Sequence, residues 1–292
     1  LDEGFLEEFR TAVKKNNPDG VLIGEVWEDA SDKVSYGSRR AYLYGGELDS
    51  VMNYPMRSAV IDYVKNGTVE LMRKNSEGLY RRYPKCTSDN LMNFLGTHDT
   101  ERILTILGGE EMGDKSNAEL AELKMTAEER ELARKKLKLA YGIIAGMPGS
   151  PCVFYGDEAG VEGYRDPFCR MPFPWKKIDE ELLAFYRKIG TIRSTNTVFR
   201  DGIFEILHLD ERAFCYERKP FSGGEDYKIV VCCARHGKLT VKIWNYGKNH
   251  GVKLPITAEN LVTDEKNSTF VIQEGQAAYL KCPINSTVEF EL

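Results

Sequence analysis

The chain has 292 residues, 42% of them hydrophobic and 29% charged, the composition of a globular protein with room for one large domain or two unequal ones. A formal net charge of -5 and a pI near 5.6 argue against the clustered Lys and Arg of a polyanion-binding surface, so nucleic acid is not an expected partner. No signal peptide and no run near the roughly 20 apolar residues of a membrane span is visible, so no membrane partner is expected.

From Leu1 to Asn16 the apolar positions Leu1, Phe5, Leu6, Phe9 and Val13 recur at helical spacing, and Asn16-Asn17-Pro18-Asp19-Gly20 turns the chain. Val21-Leu22-Ile23-Gly24 follows, short, apolar and β-branched, which predicts a strand buried on both faces, as in a parallel sheet covered by helices. Leu48 to Met52 reads as a strand, Tyr54 to Lys65 and Val69 to Tyr83 as helices, and Leu91 to Leu95 as another apolar run. A polar stretch, Glu110 to Lys124, precedes a helix over Ala127 to Ala145 with Leu132, Leu137, Leu139, Ile143 and Ile144 on its apolar face. Met147-Pro148-Gly149-Ser150 breaks that helix before Pro151 to Tyr155, and Asp179 to Ser194 closes the series. The pattern predicts four strand-plus-helix units after an unpaired first helix. Past about Arg200 the texture changes to short alternating segments such as Tyr227 to Cys232 and Leu239 to Trp244, separated by Gly, Asn and Asp turns, which predicts a small antiparallel β-domain.

This division gives an α/β part over residues 1–198 and a β-domain over 199–292. About 200 residues fall short of the roughly 250 of a whole (β/α)8 barrel, so the expected fold is the C-terminal half of such a barrel followed by an antiparallel sandwich. Seven cysteines, odd in number and including the adjacent pair Cys232-Cys233, show no CxxC or Cys/His metal spacing. They read as reduced, mostly buried thiols. A cytoplasmic location is the expectation from them, with an extracellular one as the alternative.

Glu25 stands at the C-terminal end of the first strand, in Gly24-Glu25-Val26-Trp27, and barrel active sites are built at that end of the strands. The alternative is a strand-ending Glu that simply reaches solvent. Trp27, two residues on, shares the face of Glu25 and would supply an apolar wall or a stacking surface, unless it is core. In Asn93-Phe94-Leu95-Gly96-Thr97-His98-Asp99-Thr100-Glu101-Arg102 another strand runs into an adjacent imidazole and carboxylate. Either Thr97 or Asp99 caps the helix that follows, or His98 and Asp99 join Glu25 at one barrel mouth. Two carboxylates facing one cavity is the arrangement that glycoside hydrolysis requires.

Gly24-Glu25-Val26-Trp27 and Phe94-Leu95-Gly96-Thr97-His98-Asp99 together resemble two short signature regions of the α-amylase family, in the family's order. Leu48-Asp49-Ser50-Val51-Met52-Asn53-Tyr54, Tyr155-Gly156-Asp157-Glu158-Ala159-Gly160 and Asp166-Pro167-Phe168-Cys169-Arg170 are similar to its neopullulanase and cyclomaltodextrinase branch. The resemblance implies Glu25 as general acid/base, Asp99 as a carboxylate that fixes sugar hydroxyls and stabilises an oxocarbenium-like transition state, and His98 as a hydrogen-bond donor to the same sugar. It further implies Trp27 and Tyr54 as substrate contacts on the leaving-group side, Asn53 as a further substrate contact, and Asp166 with Arg170 as holding a glucose on the other side. Without it, Tyr54 beside Pro55 reads as a turn residue and Asp166 with Arg170 as an ordinary surface ion pair.

The family's retaining double displacement needs a nucleophilic Asp about 5 to 5.5 Å from the acid/base. Its Gly-x-Arg-x-Asp pattern is absent, and the nucleophile is expected just upstream of Leu1. Asp2 reads as an N-cap. The expectation is therefore part of a retaining α-glucan hydrolase, acting on starch, maltodextrin, pullulan or cyclodextrin and inactive alone, that self-associates or pairs with the missing N-terminal half. No cofactor and no metal site is expected; calcium belongs, if anywhere, to the parent enzyme. Two alternatives stand beside this: a non-catalytic carbohydrate-binding or interaction fragment, and an unrelated α/β enzyme in which Glu25 and Asp99 point into different spaces.

Overall fold

The computed structural model describes residues 3–35, 37–247 and 252–292. In chain order the first part comprises α1 (Glu3–Asn16), β1 (Ile23–Gly24), β2 (Val34–Ser35), β3 (Ser38–Arg39), β4 (Ser50–Val51), α2 (Tyr54–Asn66), α3 (Val69–Arg82), α4 (Lys85–Ser88), β5 (Met92–Asn93), α5 (Ile103–Gly108), α6 (Asn117–Glu122), α7 (Ala127–Ala145), β6 (Ser150–Pro151), a 3-10 turn (Phe168–Arg170), α8 (Glu180–Thr195) and α9 (Val198–Asp201). The second part is all strand: β7 (Ile203–Leu209), β8 (Ala213–Lys219), β9 (Tyr227–Ala234), β10 (Leu239–Tyr246), β11 (Lys253–Pro255), β12 (Ala258–Asn260), β13 (Glu265–Asn267), β14 (Thr269–Ile272), β15 (Gln276–Pro283) and β16 (Thr287–Glu291).

Four short strands run parallel in one arc. β1 pairs with β4, the bridge between Met52 and Met92 joins β4 to β5, and β5 pairs with β6. The strand after α7 starts tightly because Gly149 takes φ +108, in the left-handed region, where a Cβ would overlap the Leu91 carbonyl. Ser150 N then donates to Leu91 O at 2.6 Å and fixes the register of β6 on β5.

Two expectations need correction here. Val21 to Gly24 is not buried on both faces: Leu22 and Val26 pack with Leu48, Val51, Leu79 and Leu91, whereas Val21 and Ile23 are exposed. Strand side chains alternate, and among the described residues only the helix side of this strand is covered. The first strand also has no helix after it, because its connection is the β2–β3 hairpin and a turn-rich segment holding Gly45-Gly46. Smaller differences are local. Leu132 is exposed although it shares the predicted apolar face of α7, and Phe5 and Phe9 stack on each other at an exposed site 6.1 Å apart. The capping role read for Asp2 lies outside the described residues.

The second part forms a six-stranded antiparallel sheet, in the order β13-β12-β15-β9-β8-β7, against a second sheet in which β10 pairs with β11, β14 and β16. Their facing side chains, among them Cys215, Val230, Cys232, Val241, Ile243, Phe270 and Leu280, make one buried cluster. The other face of the six-stranded sheet lies on α7. Tyr216 Oη donates to Ile143 O and Tyr279 Oη to Gly142 O, each at 2.7 Å, and a single core joins Leu137, Ala140 and Ile144 to Tyr216, Val231 and Tyr279. Residue 198, the last of the predicted α/β part, opens α9. All seven cysteines are thiols, five of them buried. Among the described residues no helix is long and apolar enough to cross a membrane.

Candidate active site

β1 ends at Gly24, and the alternation of its exposed face continues outward through Glu25 to Trp27. Tyr54 is the first residue of α2, directly after β4, and its ring is buried between two others. It stacks on Trp27 at 4.2 Å and 15° and meets Phe94 edge-on at 4.8 Å. Both polar tips converge on one oxygen: Trp27 Nε1 and Tyr54 Oη each donate to Glu25 Oε1 at 3.1 Å. The Glu25 carboxyl is therefore exposed yet oriented, held on one side by two donors whose rings are locked by stacking.

Phe94 follows β5, and the chain leaves that strand in a tight turn. Asp99 N donates to Thr97 Oγ1 at 3.2 Å, and Thr97 N to Thr100 Oγ1 at 3.1 Å. The capping alternative for Thr97 or Asp99 does not hold, because α5 begins only at Ile103 and its N-cap, Arg102, makes no side-chain capping bond. The turn presents His98 and Asp99 outward, with His98 Nε2 3.3 Å from Asp99 Oδ2. Arg170, on the 3-10 turn, places Nη2 3.2 Å from Asp99 Oδ1 and Nε 2.7 Å from Asp166 Oδ1. The predicted Asp166–Arg170 pair is thus an exposed ion pair that also reaches the second strand's carboxylate.

Tyr54 links the two carboxylates. Its hydroxyl is pushed up to about 12, first by burial and then by its bond to Glu25 and the negative charges of Glu25 and Asp99, the Thr97 side chain acting against them. Glu25 and Asp99 follow β1 and β5 of the parallel strands, and a continuous run of contacts joins them: Glu25 to the Tyr54 hydroxyl, the Tyr54 ring to Phe94, and Phe94 into the turn that bears Asp99. This continuity speaks against the unrelated-enzyme alternative, which needs them in different spaces.

Asn53 stands apart from the exposed set. It is buried, its Oδ1 accepts from Met56 N at 3.3 Å to cap α2, and its Nδ2 donates to Asn93 Oδ1 at 2.8 Å; Asn93 in turn donates to Pro148 O at 2.8 Å. The structure gives this residue, expected as a substrate contact, the work of tying β4 to β5. Sequence reasoning also left Asp157 and Arg102 without a role. They pair at 3.4 Å behind the His98-Asp99 turn, both buried, with Arg102 also donating to Tyr155 O and lying over the Phe154 and Tyr155 rings. A Cβ on Gly96 would come within 2.6 Å of Asp157 Oδ2, so the strand end rests on this carboxyl. Burial outweighs the nearby Arg102 charge and raises the Asp157 carboxyl to about 7. The only signal for this pair in the sequence was two charged residues flanking apolar strand ends. Among the described residues no group of three or more His, Cys, Asp or Glu is arranged to hold a metal ion.

Comparison with known proteins places this geometry. The α-amylase catalytic-domain model matches residues 2–193, and the chain belongs to the α-amylase family. Its branch is that of the neopullulanases, cyclomaltodextrinases and maltogenic amylases. It is 33% identical over 282 residues to a cyclomaltodextrinase of Thermoanaerobacter pseudethanolicus, covering 94% of this chain and 43% of that protein. It is 33% identical over 220 residues to neopullulanase 2 of Thermoactinomyces vulgaris, covering 74% of this chain and 32% of that protein. The chain spans less than half the length of these relatives, and 15% of an amylopullulanase of Thermoanaerobacter thermohydrosulfuricus that it matches at 33% identity over 76% of its own length. In fold it is similar to a cyclic α-maltosyl-(1→6)-maltose hydrolase of Arthrobacter globiformis, at TM-score 0.71 and 23% identity over 97% of this chain and 54% of that one.

Proposed function

We propose that this chain supplies the acid/base side of a retaining glycoside hydrolase that acts on α-glucans such as starch, maltodextrin, pullulan or cyclodextrin. Its parallel arc is read as the second half of a (β/α)8 barrel and its antiparallel sheets as the C-terminal β-domain. Glu25 protonates the glycosidic oxygen and later deprotonates water; Asp99 and His98 grip the hydroxyls of the sugar under attack. Trp27 and Tyr54 line the leaving-group side, and Asp166 with Arg170 holds a glucose on the other. The observation that carries this reading is Tyr54, bonded to Glu25 and packed edge-on against Phe94, which leads into the His98-Asp99 turn.

The nucleophile is assigned to a Gly-x-Arg-x-Asp strand that pairs on the edge of β1 away from β4. Val21 and Ile23, exposed on the concave side, are the surface such a strand and its neighbours would cover, and the partner is either a segment bearing the first four strands or a second copy of this chain. The test is reducing-sugar release from pullulan, maltodextrin and cyclodextrin, alongside light scattering. The chain alone is expected to be inactive and self-associated. Supplied with the four preceding strands it is expected to turn over, and Glu25→Gln then lowers kcat by about 10²- to 10⁴-fold. Enzyme-like rates from the chain alone would remove the external nucleophile, retained activity in Glu25→Gln would remove Glu25 from its role, and glucan binding that never becomes turnover would leave a carbohydrate-binding fragment.

A further inference from the structure

Directly after Arg170 the chain reads Met171-Pro172-Phe173-Pro174-Trp175, and Trp175 is 80% exposed, more than any other large apolar side chain among the described residues. A single exposed aromatic residue needs no explanation. This one is held in place. Two prolines fix φ on either side of Phe173, Tyr155 Oη donates to Met171 O at 2.9 Å, Trp175 N to Phe173 O at 3.0 Å and Lys177 N to Pro174 O at 2.8 Å. Beyond the segment Asp179 caps α8, accepting from Leu182 N at 3.0 Å, and pairs with Arg134 Nε at 2.9 Å. The Phe173 ring supports the indole at 4.7 Å. A rigid, solvent-facing indole on a segment anchored at both ends loses little entropy when a ligand settles on it.

We propose that Trp175, backed by Phe173, is a stacking platform for the distal sugars of an α-glucan chain that runs outward from the Asp166–Arg170 pair. The inference rests on the function proposed above and extends that site along the substrate. An indole face matches the apolar C–H face of a pyranose ring, while the sugar's hydroxyls stay in water. On one side the neighbours Lys176, Lys177 and Glu180 are exposed and charged, and on the other Met171 and Pro172 extend the apolar surface back toward Arg170. Trp175 is five positions along the chain from Arg170, a reach of at most roughly 17 Å. A glucan longer than a disaccharide is the ligand that would occupy the pair and the indole together.

Titration calorimetry of the full chain with maltose and with maltoheptaose tests this, using Trp175→Ala, Trp175→Tyr and Trp27→Ala beside the wild type. Trp175 is exposed, so its removal leaves the fold intact, which matched melting curves check. Trp175→Ala is expected to weaken maltoheptaose about tenfold while maltose changes less than about twofold, and Trp175→Tyr to recover most of the loss. Trp27→Ala is expected to weaken both sugars. Equal maltoheptaose affinity in wild type and Trp175→Ala, or an equal loss for both sugars, overturns the platform while leaving the proposed function standing. If the wild type binds neither sugar, the platform falls, and the proposed function is judged by turnover once the four preceding strands are supplied.

Discussion

Asp157 shows how a buried group behind a site can be tested separately from the chemistry in front of it. Its carboxyl is raised to about 7 by burial, which outweighs the opposing pull of the Arg102 guanidinium 3.4 Å away, itself shared with Tyr155 O. A carboxyl raised in the folded state binds its proton more tightly there than in the unfolded chain, where it titrates near 3.8. Stability from this group is therefore full at low pH, falls as pH rises from about 4 to 7, and is flat above. Asp29, Asp49 and Asp210 are lowered and run the other way, their partners overcoming burial, so the raw melting curve mixes both signs. The comparison to make is Asp157→Asn against wild type at pH 5 and pH 8. The wild type is expected to lose melting temperature relative to the variant as pH rises; a pH-independent difference would place the carboxyl in the ordinary range.

At the scale of elements, Asn53 joins three pieces with one amide: it caps α2 and holds Asn93, which holds Pro148 at the start of β6. Asn53→Ala loses the cap and leaves the Asn93 amide oxygen buried without that partner, so urea unfolding is expected to show a loss of about 2 to 4 kcal/mol. Destabilisation within the range of surface substitutions would show the network to be dispensable. The same residue marks the limit of what the sequence says. The helices over 54–66, 69–82, 127–145 and 180–195 follow from apolar spacing and from breakers such as Pro148-Gly149, and they came within a residue or two of the expected bounds. That Glu25, Trp27, His98 and Asp99 stand exposed at strand exits was legible, because each follows a short apolar run. Asn53 was not, since a polar residue after a strand looks the same whether it faces a ligand or caps a helix. Nor was the Arg102–Asp157 pair, joined across 55 positions of the chain. The exposure of Val21 and Ile23 was hidden for another reason: an apolar run shows that burial suits a strand, and its faces are filled by whatever packs there.

Over the whole molecule, the boundary drawn from texture does not divide the core. Tyr216 and Tyr279 reach from the six-stranded sheet to carbonyls of α7, and Gly142 lets α7 approach β15 so closely that a Cβ there would come within 2.5 Å of the Ala277 methyl. The 292 residues are accordingly expected to unfold in one transition. Residues 1–198 produced alone are expected to aggregate, because the α7 face that meets Val231 and Tyr279 would stand in water. Two resolved calorimetric transitions, or a soluble, folded 1–198 segment with native-like near-ultraviolet dichroism, would show instead that the sheet part is an independent module.

The ring stack at Glu25 has one more consequence. Its indole N–H donates to the carboxyl oxygen, and a phenol ring lies parallel to the indole 4.2 Å away. Whatever displaces that carboxyl or that ring changes the surroundings of the chromophore directly, so a sugar seated beside them is expected to shift Trp27 emission. The acid carries its own optical gauge, readable before any bond is broken.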